Sequence, residues 1–146
     1  MLYVILVVAL VALDQLVKWL VANQIALEQV HSFIPGVLAL TNLRNDGAAW
    51  SVLAGQQLLF FFLTVIAIIV ILYCMYRYRQ SRGMMIAFSL ILAGAIGNFI
   101  DRLIHGYVVD MFETLFISFP VFNVADTCLT LGVIYLVVLI LLEKDD

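Results

Sequence analysis

The stretch at 97–112 reads GNFIDRLIHGYVVDMF, and FNVAD follows at 122–126. Together they hold Asp101, Asp110 and Asp126, interleaved with Asn98, Arg102 and Asn123. Two carboxylates that face one another cannot both ionise easily, so one keeps its proton while the other loses it. Such a pair can divide the work on a water molecule. The ionised member takes a proton from the water, and the protonated member polarises a scissile carbonyl. Neighbouring Asn and Arg side chains can hold a substrate backbone or stabilise the charge that develops. Asp110 and Asp126 suit this best. They stand on opposite sides of a 111–125 connector, and a chain that folds back there brings them together. Asp110, between Val-Val and Met-Phe, also has the weakest structural excuse for a charge.

Other chemistries are poorly served. The only histidines, His31 and His105, fall in segments that read as loops, and neither sits in a metal-ligand spacing such as His-Glu-x-x-His. No Ser-His-Asp or Cys-His arrangement is persuasive, so no metal and no cofactor is expected. Several polar residues also have plain structural readings. Asp14 and Lys18, at i and i+4, read equally as an ion pair that lets Lys18 snorkel to the membrane interface. Its charge would then be dispensable for chemistry. Asp101 and Arg102 read as ties between a helix and its neighbours. Asn123, with an acid three residues on, fits a helix N-cap.

The elements that must position these groups are membrane spans. Of 146 residues, 66% are hydrophobic and 12% charged, whereas a soluble domain carries about 25% charged residues. Four segments have about the 20 apolar residues that a bilayer core requires: roughly 2–22, 58–76, 84–104 and 122–142. The fold class is therefore an all-α integral membrane protein of one domain, residues 1–146. The first segment lacks a basic leader and a small-x-small cleavage site, and is read as a retained helix. Arg77, Arg79 and Arg82 crowd the short 77–83 loop, and Lys144 lies in the tail. That loop and both termini are expected to be cytoplasmic. Cys74 and Cys128 then lie at opposite depths, unsuited to a disulfide, and read as packing residues. No basic patch points to nucleic acid.

This topology makes a prediction about depth. Asp14, Asn45, Asn98, Asp101, Arg102, Asp110, Asn123 and Asp126 all converge on the outer leaflet. A charge at the bilayer centre costs about 2.5–3.5 kcal/mol on insertion scales, so acids at this depth are functional candidates. The 23–57 segment is too long for a simple connector. VLALTNL within it has strand character and NDG at 45–47 is a turn signal. A small sheet or hairpin on the outer membrane surface is expected, with GYVVDMF adding a short strand. The outer loops run over about 23–57 and 105–121.

Four motifs in this order resemble lipoprotein signal peptidases, the signal peptidase II family of bacterial aspartic membrane proteases. They are DQLVKW at 14–19, NDGAAWS at 45–51, GAIGNFIDRLIHGYVVDMF at 94–112 and FNVADTCLTLG at 122–132. The resemblance covers most of the chain. It implies four helices with both termini inside and a small extracytoplasmic β-structure, in the bacterial cytoplasmic membrane. It implies catalytic aspartates in the GxVVD and FNxAD motifs, which are Asp110 and Asp126 here. Asp14, Asn45, Asn98, Asp101, Arg102 and Asn123 then shape the site or bind substrate backbone and lipid headgroup. The implied substrate is a prolipoprotein whose cysteine carries a diacylglyceryl group, cut on the amino side of that cysteine. Membrane phospholipid is the remaining partner, and no obligate protein partner is implied. Apolar residues near the site, including Phe99, Met111 and Phe112, would touch lipid or signal peptide, or simply pack. Trp50 and Met111 stand where the family commonly has Phe, and Ala93 where Gly is common; these departures leave the carboxylates untouched.

Two other functions compete. An ion-coupled transporter would use intramembrane acids as ion sites, but a conduction path needs polar groups through the full depth, and here they stop in the outer half. A structural scaffold would use the acids as buried ion pairs, so that their removal lowers stability rather than turnover.

Overall fold

A computed structural model of the chain describes residues 1–47 and 55–143. Trp50, the AAWS part of the second motif and Lys144 lie outside the described residues. Four helices are long and apolar enough to cross a membrane: α1 (Leu2–Gln24), α2 (Gln57–Arg77), α3 (Arg82–His105) and α4 (Val124–Glu143). Three strands, β1 (Val30–Ile34), β2 (Leu38–Asn45) and β3 (Val108–Thr114), form an antiparallel sheet in the order β1-β2-β3.

The helix ends follow from local chemistry. Ser81 caps α3, its hydroxyl accepting from the Met84 N–H at 3.4 Å. At the other end Gly106 takes φ +76°, where a side chain is disfavoured, and its N–H closes on the Arg102 carbonyl at 3.1 Å. This left-handed turn throws the chain directly into β3. The start of α4 is fixed by Asn123, one residue before Val124.

The central helix is α3. Of its most apolar stretch 56% is buried, against 6% for α2, so the other three helices lean on it. Small residues make the α3–α4 approach possible. A Cβ at Gly94 would collide with the Ala125 carbonyl, and one at Gly132 of α4 would lie 2.7 Å from Ile91 Cγ1. Small residues at such crossings let backbones approach where lipid gives no hydrophobic drive. An apolar cluster of Val7, Ile71, Met84, Phe88, Leu92 and Ala93 fills the half of the bundle remote from the sheet. Both cysteines are free.

The sheet is fastened to the end of α1. Asn42, buried on β2, donates to the Ile25 carbonyl at 2.8 Å, just past the helix end. Val21 packs with Val109 and Met111 of β3. After β3 the chain reverses, and Phe122 pairs with Phe112 through backbone bonds of 2.8 and 3.1 Å. That reversal places Asp126 beside Asp110.

Candidate active site

Five elements contribute polar side chains to one end of the bundle. Asp14, Gln15 and Lys18 come from α1 and Asn45 from β2. The last turns of α3 give Asn98, Asp101 and Arg102, β3 gives Asp110, and Asn123 introduces Asp126 on α4. Asp110 and Asp126 both line a cavity of about 760 Å³, with Asn45, Asn98 and Arg102 around them. Leu63, Thr64 and Ala67 of α2 and Leu131 of α4 extend it toward the apolar part of the bundle.

The two carboxylates are held by three asparagines. Asn45 Nδ2 donates to Asp110 Oδ2 at 2.9 Å, and Asn123 Nδ2 to Asp110 Oδ1 at 2.7 Å. Asn98 Nδ2 donates to Asp126 Oδ1 at 2.7 Å, and the Asn123 backbone N–H reaches Asp126 Oδ2 at 3.2 Å. Each of the four carboxylate oxygens thus receives one N–H and keeps lone-pair capacity for a water, a proton or a substrate atom. The amide oxygens are also engaged. Asn45 Oδ1 accepts from the Gly47 N–H at 3.0 Å, and Asn123 Oδ1 from the Asp126 N–H at 2.8 Å. The Asn123–Asp126 exchange is a reciprocal capping box, so the helix-cap reading and the site reading describe the same atoms.

Asp110 is 2% exposed. Burial pushes its carboxyl up from 3.8 to about 6, and the negative charge of Asp126 adds to the rise. The Asn45 and Asn123 hydrogen bonds and the Lys18 charge pull the other way.

Behind this pair lies a second cluster. Lys18 is not the interface anchor that its spacing suggested: it is 3% exposed and turned into the protein. Its Nζ meets Asp14 Oδ2 at 2.8 Å, Asp101 Oδ2 at 3.0 Å and Asn98 Oδ1 at 3.0 Å. A snorkelling lysine needs a route to water, and this one has none because α3 packs over its face of α1. Asp14 Oδ1 accepts the Ala125 N–H in the first turn of α4 at 2.8 Å, satisfying a donor that a helix start leaves free. Asp101 Oδ2 accepts the Val109 N–H at 3.3 Å, one residue before Asp110. These two acids therefore hold the backbones that carry the carboxylate pair, and neither lines the cavity. Gln15 joins them, its Nε2 donating to Asp101 Oδ1 at 2.9 Å and to the Gly97 carbonyl at 3.1 Å. Sequence reasoning missed Gln15; an amide beside Asp14 inside an apolar run was the available signal.

Arg102 does not pair with Asp101. Its Nη2 donates to the Gly47 carbonyl at 3.1 Å, and the guanidinium lies 4.7 Å over the Phe60 ring. Met111 is fully buried, so it packs and does not meet lipid. Phe99 packs in a tilted pair with Phe61 of α2, ring centres 5.5 Å apart, and Phe112 does the same with Phe122 at 5.5 Å. His31 and His105 are both exposed and away from the cavity. Among the described residues no group of three His, Cys, Asp or Glu side chains is arranged to hold a metal ion.

Comparison with known proteins gives one answer. A family model described as signal peptidase (SPase) II matches residues 6–142. The lipoprotein signal peptidase of Latilactobacillus sakei subsp. sakei is 52% identical over 99% of this chain and 96% of its own. That of Lactiplantibacillus plantarum is 50% identical over 99% and 95%. A bacterial membrane enzyme solved by the in meso method at 2.3 Å superposes with a TM-score of 0.93 at 37% identity, over 97% of this chain and 88% of that one. A second, solved at 1.9 Å, gives 0.89 at 38% identity over 95% and 92%.

Proposed function

The chain belongs to the signal peptidase II family, a family of lipoprotein signal peptidases, and on that premise we propose that it is an aspartic endopeptidase of diacylglyceryl-modified prolipoproteins. It cuts on the amino side of the lipidated cysteine, with Asp110 and Asp126 activating one water between them. The observation that carries this reading is the matched pair of carboxylates on one cavity, each oxygen with a single N–H donor.

In this mechanism one carboxylate takes a proton from water as the water oxygen bonds to the scissile carbonyl carbon. The other gives its proton to the carbonyl oxygen. The tetrahedral diol then collapses. Its C–N bond breaks, a proton passes to the leaving nitrogen, and the products are the signal-peptide acid and the free amine of the lipidated cysteine. The asparagine donors keep both carboxylates in place during the exchange, so little reorganisation is required as charge moves. Arg102, in the cavity wall, is suited to a substrate carbonyl or a headgroup. The cavity's extension between α2 and α4 gives an apolar path for the signal peptide and acyl chains. Such a substrate presents its scissile bond at the membrane interface, and lateral diffusion brings it to the site. The protein is read as multi-pass in the bacterial cytoplasmic membrane, with the sheet and the site on the extracytoplasmic side and both termini inside.

The test is a gel-shift cleavage assay in detergent. Lipidated prolipoprotein is expected to be cut and unlipidated precursor left intact. Asp110→Asn and Asp126→Asn are each expected to lose turnover by at least about 10³-fold, in the range of losing a group that acts as part of a unit, while the helical signal and melting behaviour survive. Retained turnover in either variant excludes the dyad.

A further inference from the structure

Asn45 and Asn123 have their amide oxygens pinned by backbone N–H groups. Asn98 differs: its Oδ1 is held by Lys18 Nζ at 3.0 Å and by Asn123 Nδ2 at 3.1 Å. We infer that Lys18 is a positioning residue for the reaction, whose ammonium, acting through Asn98, aims that amide's N–H at Asp126. The inference rests on the dyad reading and adds to it a residue that touches neither substrate nor water. Lys18 does not line the cavity, so its role has to be transmitted.

The ammonium has three protons and no acceptor capacity, and it meets three acceptors here: Asp14, Asp101 and Asn98. No proton is left for a ligand. A primary amide has one acceptor end and one donor end. Turned by half a rotation, Asn98 would set its NH2 against the Lys18 ammonium and the Asn123 NH2, and its oxygen against Asp126 Oδ1. Three hydrogen bonds would become three repulsive contacts. The cation at 3.0 Å therefore selects the orientation that donates to Asp126. Its charge also polarises the amide, strengthening the N–H on the far side in this buried setting. The same ammonium joins Asp14, which holds the α4 backbone at Ala125, to Asp101, which holds β3 at Val109. Lys18 thus stands at the junction of both elements that carry the carboxylates.

Lys18→Met alone strands two buried carboxylates and threatens the fold. Lys18→Met/Asp101→Asn keeps the net charge that the Asp14–Lys18–Asp101 cluster has in the wild type, and it is compared with Asp101→Asn, each with Asn98 intact and with Asn98→Ala. Cleavage of lipidated prolipoprotein and thermal unfolding are measured in the same detergent. With Asn98 intact, adding Lys18→Met is expected to lower kcat about 10- to 100-fold with KM within about threefold. This is the range for one charge-assisted hydrogen bond at tenfold per 1.4 kcal/mol. In the Asn98→Ala background the same change is expected to move kcat by less than about threefold. Lys18→Arg keeps the cation, but its planar guanidinium cannot aim three donors at these acceptors as the ammonium does. It is expected to lose at least about tenfold in kcat with KM kept. Equal losses in both Asn98 backgrounds, a change confined to KM, or wild-type kcat in Lys18→Arg overturns the role of Lys18. Turnover surviving in Asp126→Asn overturns the dyad and this inference together.

Discussion

Asp110 shows how much one carboxylate depends on its donors. Burial lifts its pKa to about 6, while the Asn45 and Asn123 hydrogen bonds resist the rise because they favour the ionised form. In the proposed mechanism the pair needs one proton to work. Burial sets the Asp110 carboxyl at about 6, so kcat/KM of the free enzyme is expected to fall on the alkaline side of that region as the pair loses its proton. Asn45→Ala removes a donor that lowers the Asp110 pKa, so the pKa goes up and the alkaline limb moves to higher pH. The same variant is expected to lose about tenfold in kcat, since Asp110 Oδ2 then has no fixed partner. A pH–rate profile of both proteins checks this; an unmoved limb, or one moved to lower pH, removes Asn45 from the titration of the site. Asp110 was legible in the sequence as a candidate because its apolar setting gives an acid little structural reason, whereas Asp126 also read as the acid of a helix cap. Their partners were legible only as types. That Asn98 donates to Asp126 while Asn123 serves Asp110 follows from rotations about side-chain bonds, which spacing does not encode. Lys18 was misread for a related reason. Four residues from an acid on an apolar helix, it fits a snorkelling anchor equally well, and only the packing of α3 over that face of α1 decides against it.

At the scale of elements, the spans were readable because length and apolarity suffice to specify a membrane helix. Their ends were less so. Ser81 and Asn123 are caps, and the helices begin immediately after them, at Arg82 and Val124 rather than at the first strongly apolar residue. The sheet was readable as alternating strands near a turn signal. That β3 pairs with β2, and that the register slips between Leu40 and Leu43, was not, because alternation leaves pairing partners undefined. The α3–α4 crossing is where element packing meets the site. A Cβ at Gly97 would lie 2.6 Å from Asp14 Oδ2 and 3.1 Å from the Ala125 Cβ. Gly97→Ala is therefore expected to push Asp14 off the Ala125 N–H or to part the helices, costing about 1–3 kcal/mol of stability as overpacking does. Turnover is expected to fall with it, since Ala125 immediately precedes Asp126. Thermal unfolding in detergent beside a cleavage assay tests this. Unchanged melting with unchanged turnover would mean that the crossing is looser than its contacts indicate.

For the whole molecule, polarity is segregated along the bundle axis. The sheet, the cavity and both carboxylates share one end. The other end carries Arg77, Arg79 and Arg82 on or beside the α2–α3 connection, and the guanidiniums of Arg77 and Arg79 lie 5.7 and 4.8 Å over the Tyr78 and Tyr76 rings. Arginine in a short loop favours the cytoplasmic side, and the proposed orientation, with the carboxylate end outside, rests on that rule. The proposed function requires that placement, because a lipidated precursor cut after export presents its scissile bond at the outer interface. Orientation is therefore a test of function as well as of topology. Ser32 of β1 and Ser81 before α3 are both exposed and lie at opposite ends. With Cys74 and Cys128 replaced by serine, Ser32→Cys in intact cells is expected to react with a membrane-impermeant maleimide. Ser81→Cys is expected to react only after permeabilisation. The reverse pattern would put the carboxylates in the cytoplasm, where no exported prolipoprotein reaches them, and the proposed substrate would have to be abandoned even with the dyad intact.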